Sequence, residues 1–267
     1  MKRISPPLSL SIFLLVALLL VSGCTSQKKL AYLQNLPEPD GQEFFTMDKP
    51  GYKIQPRDVL YLTAKALNAE GKIEDYLSSS RTTVTSQAGG EAGGFLYGYD
   101  VSEDGFIRLP VIGLIKVENL TLEEARPIIQ EAVDKVFNNT TVECKLLSFK
   151  FTVIGEVRGP GTYVNYNNYL TVLEAIGRAG GIGDYGKRDR VLVVRAEEKG
   201  SKTFRLNLQD KSILNSEAYF LLPNDVVIVE PQPQKIFNMN LPTISFIINS
   251  TLLTLSTTLL LINYIGQ

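Results

Sequence analysis

Hydrophobic and polar positions alternate in three different ways along the 267 residues. From Leu8 to Val21 only Ser9 and Ser11 are polar, and from residue 236 to the end there is no charge at all. Between these apolar ends the chain is mixed, with short periodic stretches. Leu60, Leu62, Ala64 and Ala66 alternate as one face of a strand after the turn-prone Pro56-Arg57-Asp58. Val101–Pro110 reads as strand around an Asp104-Gly105 turn, and Val111–Val117 as a continuing β-rich run. Thr121-Leu122-Glu123-Glu124 has capping-box spacing. It opens a helix to about Phe137 with an apolar stripe through Ala125, Ile129 and Val133 and a bend at Pro127. Val142–Lys150 reads as a strand. By contrast, residues 68–98 contain six Gly and four Ser, keep no packing period and predict an exposed, mobile insertion loop.

A second run of elements begins near residue 150. Phe151–Val157 is strand-like, Gly159-Pro160-Gly161 is a turn, and Thr162-Tyr163-Val164 follows as strand. A second capping box at Thr171-Val172-Leu173-Glu174 starts a short helix that Gly180 and Gly181 stop. Strands at Val191–Arg195, Thr203–Leu208 and Val226–Val229 complete a ββαβββ order, with one helix over a mixed sheet. The expected class is α+β.

Charge divides the chain the same way. The totals are 27 Lys and Arg against 28 Asp and Glu, a net charge of −1. Lys2 and Arg3 belong to the N-terminal segment, so the region between the ends carries 25 basic and 28 acidic residues, a net charge of −3. That balance carries no footprint for nucleic acid. With 44% apolar and 21% charged residues the middle of the chain can bury real cores. There is no His, so His-based nucleophile systems and zinc sites built on imidazole are excluded.

The N-terminal order of basic residues, apolar run and small residues before Cys24 reads as a lipoprotein signal, residues 1–23, with Cys24 the lipidated first mature residue. The bland reading is an ordinary signal peptide with an incidental Cys. Residues 24–50, with Pro37, Pro39 and Pro50, read as a linker. Cys144, the other thiol, alternates with Val142 and Leu146, as a buried structural residue would.

Two patterns invite a catalytic reading. Asp58 and Asp225 stand in similar Pro-x-Asp frames, Pro56-Arg57-Asp58 and Pro223-Asn224-Asp225. They are either a carboxylate pair for acid–base work or, as recurrence in the same frame favours, acceptors closing two turns. The glycines from Gly177 to Gly183 follow a helix, whereas a dinucleotide loop precedes one, so no phosphate site is expected. Neither cofactor nor metal site is expected.

The C-terminal tract is long enough to cross a membrane: 24 residues from 242 to 265 make a helix of about 36 Å, against a hydrocarbon core of about 30 Å. Ile244, Ile248, Leu255, Leu259 and Ile262 share one face. Ser245, Asn249, Ser256 and Asn263 share a narrow arc elsewhere, and polar groups at that depth face other helices or water. They are candidate lumen-lining residues; the alternative is a single anchor helix whose hydroxyls bond their own backbone.

Several of these segments, in order, resemble the outer-membrane polysaccharide export family, the capsule and exopolysaccharide export lipoproteins. The resemblance rests on Cys24, on Tyr52-x-Ile54-x-x-x-Asp58-x-Leu60, and on Val101-x-x-Asp104-Gly105-x-Ile107-x-x-Pro110-x-x-Gly113-x-Ile115. It continues through Val153-x-Gly155-Glu156-Val157-x-x-Pro160-Gly161, Ala179-Gly180-Gly181 and Leu222-Pro223-Asn224-Asp225-Val226-Val227. It implies a polysaccharide export domain over 51–149, a soluble-ligand-binding β-grasp (SLBB) domain over 150–232 and a membrane helix in 236–267. It also implies a non-enzymatic homo-oligomeric ring in the outer membrane with its body in the periplasm. The implied partners are the polysaccharide and an inner-membrane polysaccharide co-polymerase, often fused to a tyrosine autokinase. With room for one SLBB unit, a shallower periplasmic ring or reliance on another subunit follows. A periplasmic glycan-binding lipoprotein is the competing expectation, and an enzyme acting on glycans a distant third.

Overall fold

The computed structural model describes residues 30–36, 43–47, 49–68, 70–77, 98–197 and 199–265, with the side chains at 259, 263 and 265 outside the description. The chain is α+β, and its buried side chains form two clusters that meet at Leu146.

In the first cluster, β1 (Val59–Leu67) is the central strand. It pairs antiparallel with β2 (Ile73–Asp75), β3 (Tyr99–Asp100) and β6 (Thr141–Leu146). The alternation at Leu60, Leu62, Ala64 and Ala66 is a buried face, as expected. Against it packs α1 (Leu122–Asp134), which buries Ala125, Ile129 and Val133 and runs on through Pro127. Its capping box is complete: Glu124 N–H donates to the Thr121 hydroxyl, and Thr121 N–H donates to the Glu124 carboxylate.

Two expectations for this region change. The run from Val111 does not continue as one strand. β4 (Phe106–Leu109) and β5 (Gly113–Lys116) pair as an antiparallel hairpin around Pro110-Val111-Ile112, and Val111 takes φ 66° at the exposed tip. Pairing Ile107 with Ile115 buries both, which a continuous strand would not do. The expected loop from residue 68 is structured over its first part, because β2 pairs with β1 and Leu77 is buried. Asp75 Oδ1 accepts from the N–H groups of Ala64 and Leu77, closing that return. Residues 78–97 lie outside the described residues.

The second cluster is a five-stranded mixed sheet in the order β10-β9-β11-β7-β8. Its strands are β7 (Lys150–Gly155), β8 (Gly161–Val164), β9 (Gly186–Glu197), β10 (Gly200–Leu206) and β11 (Val226–Pro231). β11 runs parallel to β7, and the other pairings are antiparallel. Helix α2 (Val172–Arg178) covers the sheet and buries Val172, Ala175 and Ile176. Its end is a Schellman motif. Gly181 N–H bonds Ile176 O at 2.9 Å and Gly180 N–H bonds Gly177 O at 3.0 Å, with Gly180 at φ 75°.

Helix α3 (Pro233–Ile265) follows β11 almost at once. It begins upstream of the apolar tract and passes through Pro242; at 33 residues it is about 50 Å long.

Candidate functional site

The two Pro-x-Asp turns are built alike. Asp58 N–H bonds Gln55 O and Asp225 N–H bonds Leu222 O, with Arg57 and Asn224 at positive φ in the third position. Each is a type II turn with Pro second. Each Asp then reaches back to the backbone N–H of the turn's first residue, at 2.9 Å from Gln55 and 2.8 Å from Leu222. The remaining lone pairs are also used. Asp58 accepts from the Tyr52 and Ser148 hydroxyls, both at 2.8 Å, and Asp225 forms a buried ion pair with Arg195. Burial beside the Asp58 charge holds the Tyr52 phenol above its ordinary range, so it stays a neutral donor. Both carboxylates are structural acceptors in different clusters, which removes the acid–base reading.

The other thiol is buried as well, and burial pushes Cys144 up to about 12. Among the described residues, no group of three Cys, Asp or Glu side chains is placed to hold a metal.

What distinguishes the molecule lies at its ends. Helix α3 is the one described helix long and apolar enough to cross a membrane, and its described side chains from Ile236 to Tyr264 are all exposed. Its base is fastened to the second cluster: Lys235 pairs with Glu156, Asn238 Nδ2 donates to Tyr185 Oη, and Gln232 N–H donates to Tyr185 O. Glu156 belongs to the Gly155-Glu156-Val157 motif, so that motif carries a role at the helix base that its sequence did not reveal. Gly155 is required there, because at φ 92° an added Cβ would lie 2.1 Å from Val229 O.

Ser245, Asn249 and Ser256 stand on α3 within an arc of about 40°. The Ser245 and Ser256 hydroxyls donate to Pro242 O and Leu253 O, and Ser250, Thr251, Thr254, Thr257 and Thr258 likewise donate back to the helix. These hydroxyls are therefore satisfied within their own helix. The Asn249 amide has no partner among the described residues. The Asn263 side chain and Cys24 lie outside the description.

The N-terminal segment ends on the same cluster. Leu33 N–H bonds Leu208 O at 3.1 Å, Gln34 N–H bonds Gln209 O at 2.7 Å, and Lys211 N–H donates to Asn35 Oδ1. The Arg188 guanidinium lies 5.6 Å from the Tyr32 ring centre. Residues that the sequence placed in a linker thus pack against residues 207–211.

Comparison with known proteins separates the same two regions. Residues 47–147 match the model of the polysaccharide biosynthesis/export protein family, and residues 149–229 match that of the SLBB domain. A curated relative, the EPS I polysaccharide export outer membrane protein EpsA of Ralstonia solanacearum, is 33% identical over 147 residues, covering 52% of this chain and 38% of its own. The protein of the same name from Ralstonia nicotianae is 33% identical over 115 residues, covering 42% of this chain and 29% of its own. The chain therefore aligns with less than two fifths of either relative's length. The ordered motifs, the two adjoining matches and this similarity agree: residues 47–147 form a domain of the polysaccharide biosynthesis/export protein family, followed over residues 149–229 by an SLBB domain.

Proposed function

We propose that this chain is an outer-membrane lipoprotein, anchored through Cys24, that assembles into an oligomeric conduit and passes capsular polysaccharide or exopolysaccharide from the periplasm to the cell surface. The observation that carries this reading is α3, exposed and uncharged from Ile236 onward, seated directly on the SLBB domain of an export-family chain. Residues 51–149 and 150–232 are the two periplasmic domains, the second β-grasp-like. Both membrane connections leave from that second domain. Cys24 precedes Leu30 by six residues, a reach of about 20 Å at most, and 30–36 are bonded to the domain that holds the base of α3. The SLBB domain therefore lies next to the membrane, and the export domain points toward an inner-membrane polysaccharide co-polymerase.

In the assembled conduit, Asn249, Ser256 and Asn263, with Ser245, face the lumen. An Asn amide cannot be satisfied cheaply against lipid, and Asn249 has no partner among the described residues. Such a conduit needs a wide hydrated path and weak contacts, not chemistry on the polymer.

Detergent extraction followed by electron microscopy tests the assembly. A ring is expected; a stable monomer that retains glycan affinity would instead support a periplasmic glycan-binding lipoprotein. Asn249→Leu combined with Asn263→Leu is expected to impair export, and unchanged assembly and export would remove the lumen assignment.

A further inference from the structure

Between the two domains runs a cleft with an empty volume of about 460 Å³, counting the part open to solvent. Tyr52 and Lys145 line it from the export domain, and Tyr166, Asn167, Asn168 and Tyr169 line it from the SLBB domain.

The polar part of the SLBB wall is the loop between β8 and α2, beside Leu221, Leu222 and Pro223, and it is held from beneath. Asn165, buried to 1% exposure, donates to the carbonyls of Asn167 and Tyr169. Its Oδ1 accepts from Arg178 Nη2, while Arg178 Nη1 donates to Val164 O. One face of Tyr169 lies under the Lys49 ammonium, 5.0 Å from the ring centre, and Phe220 packs edge-on against it. Tyr166 is 67% exposed. The Tyr166 hydroxyl and the side-chain amides of Asn167 and Asn168 have no partner among the described residues. The loop thus presents an open aromatic ring beside free amides on a braced backbone, so little ordering entropy is lost when something binds.

The chemistry of the lining selects the ligand. The cleft's one lining cation, Lys145, is paired with Glu143 at 2.7 Å. The rest combines an apolar floor that includes Leu122, Leu146 and Leu221 with an exposed ring, suited to the apolar face of a pyranose, and amide and hydroxyl groups that both donate and accept, as sugar hydroxyls do. We infer that this inter-domain cleft is a glycan contact site that holds a short stretch of the transported polysaccharide. Tyr166 stacks on one sugar ring, and Asn167 and Asn168 bond the hydroxyls of that unit and its neighbour. This rests on the polysaccharide export reading and adds to it a place where the polymer is held outside the membrane helix.

The test uses the full chain in detergent. The probe is oligosaccharides cut from the surface polysaccharide of the bacterium that carries the protein, with binding followed by saturation-transfer NMR. The wild-type chain should bind, and Tyr166→Ala and Asn168→Ala should each weaken binding by about tenfold. Tyr166→Phe, which keeps the ring, should stay within about twofold of wild type. Tyr166 and Asn168 take no part in the Asn165–Arg178 brace, so thermal melts of the variants should match wild type. Wild-type binding by a Tyr166→Ala/Asn168→Ala double variant would overturn the site, as would absence of binding by the wild type. Deleting the gene separates the two ideas. Loss of surface polysaccharide with no binding at the cleft sinks only this inference. Unchanged surface polysaccharide sinks the export reading, and the binding data still decide whether the cleft takes sugar.

Discussion

Asp58 and Asp225 share a turn but differ in what shares their burial. Asp225 is fully buried against Arg195, itself 8% exposed, whereas Asp58 is held by two hydroxyls and a backbone N–H. Removing one partner of a buried ion pair strands the other charge. Asp225→Ala is therefore expected to cost about 3–5 kcal/mol, and Asp58→Ala about 1–3 kcal/mol; denaturant titration should give that order. Equal losses would mean that the Arg195 pair is not desolvated. Tyr52 adds a pH dependence. Its phenol is held above the ordinary value of 10, first by burial and then by the Asp58 charge and hydrogen bond. The folded chain thus keeps a neutral phenol that the unfolded chain loses above pH 10. Its contribution is fully present below that pH and declines as pH rises beyond it, by up to about 1.4 kcal/mol per pH unit. Tyr52→Phe should flatten the alkaline limb of the stability curve relative to wild type; an unchanged limb would remove Tyr52 as its cause. The turn frames were legible from Pro and Asp spacing, but the buried partners were not, because Arg195 lies 30 residues from Asp225 and Ser148 lies 90 from Asp58.

At the scale of elements, local signals were the legible ones. Both capping boxes close over three residues, and the Gly180-Gly181 stop is a property of backbone φ, so neighbours in sequence were enough to place them. The hairpin at Pro110-Val111-Ile112 was hidden because Val111 is an unfavourable residue for positive φ. It turns there because the pairing of β4 with β5 buries Ile107 and Ile115. Gly155 is the reverse case, a motif glycine whose reason appears only with Val229 O in place. Gly155→Ala should cost more than about 2 kcal/mol, from positive φ and the steric overlap together. Gly161→Ala, whose nearest neighbour would be Tyr163 Cε2 at 4.0 Å, should change stability little. Thermal melts of the two variants compare them directly, and equal shifts would contradict the close approach at Val229.

Over the whole molecule, anchoring is the property that the proposed function assigns to both ends. An apolar helix of this length holds a protein in a bilayer far more firmly than a single acyl chain does. Cys24→Ala should therefore leave the chain membrane-bound, and truncation after Gln232 should leave it held through lipid alone. The two changes together should release a soluble protein, as cell fractionation would report. Release by Cys24→Ala by itself would show that α3 does not span the membrane.

The sequence by itself determined the α+β class, most strands and helices, both capping boxes, the uncharged C-terminal tract and the motif order of the family. Each is written in residues a few positions apart or in composition, where local sterics and hydrophobic period act. Tertiary structure alone decided the rest. It laid residues 30–36 against residues 207–211, fastened Lys235 to Glu156, paired Arg195 with Asp225 and brought Lys145 opposite Tyr166 across a cleft. Those contacts join residues from about 20 to 176 positions apart. Their partners are selected by which surfaces meet once the cores have formed, and no local period encodes that choice.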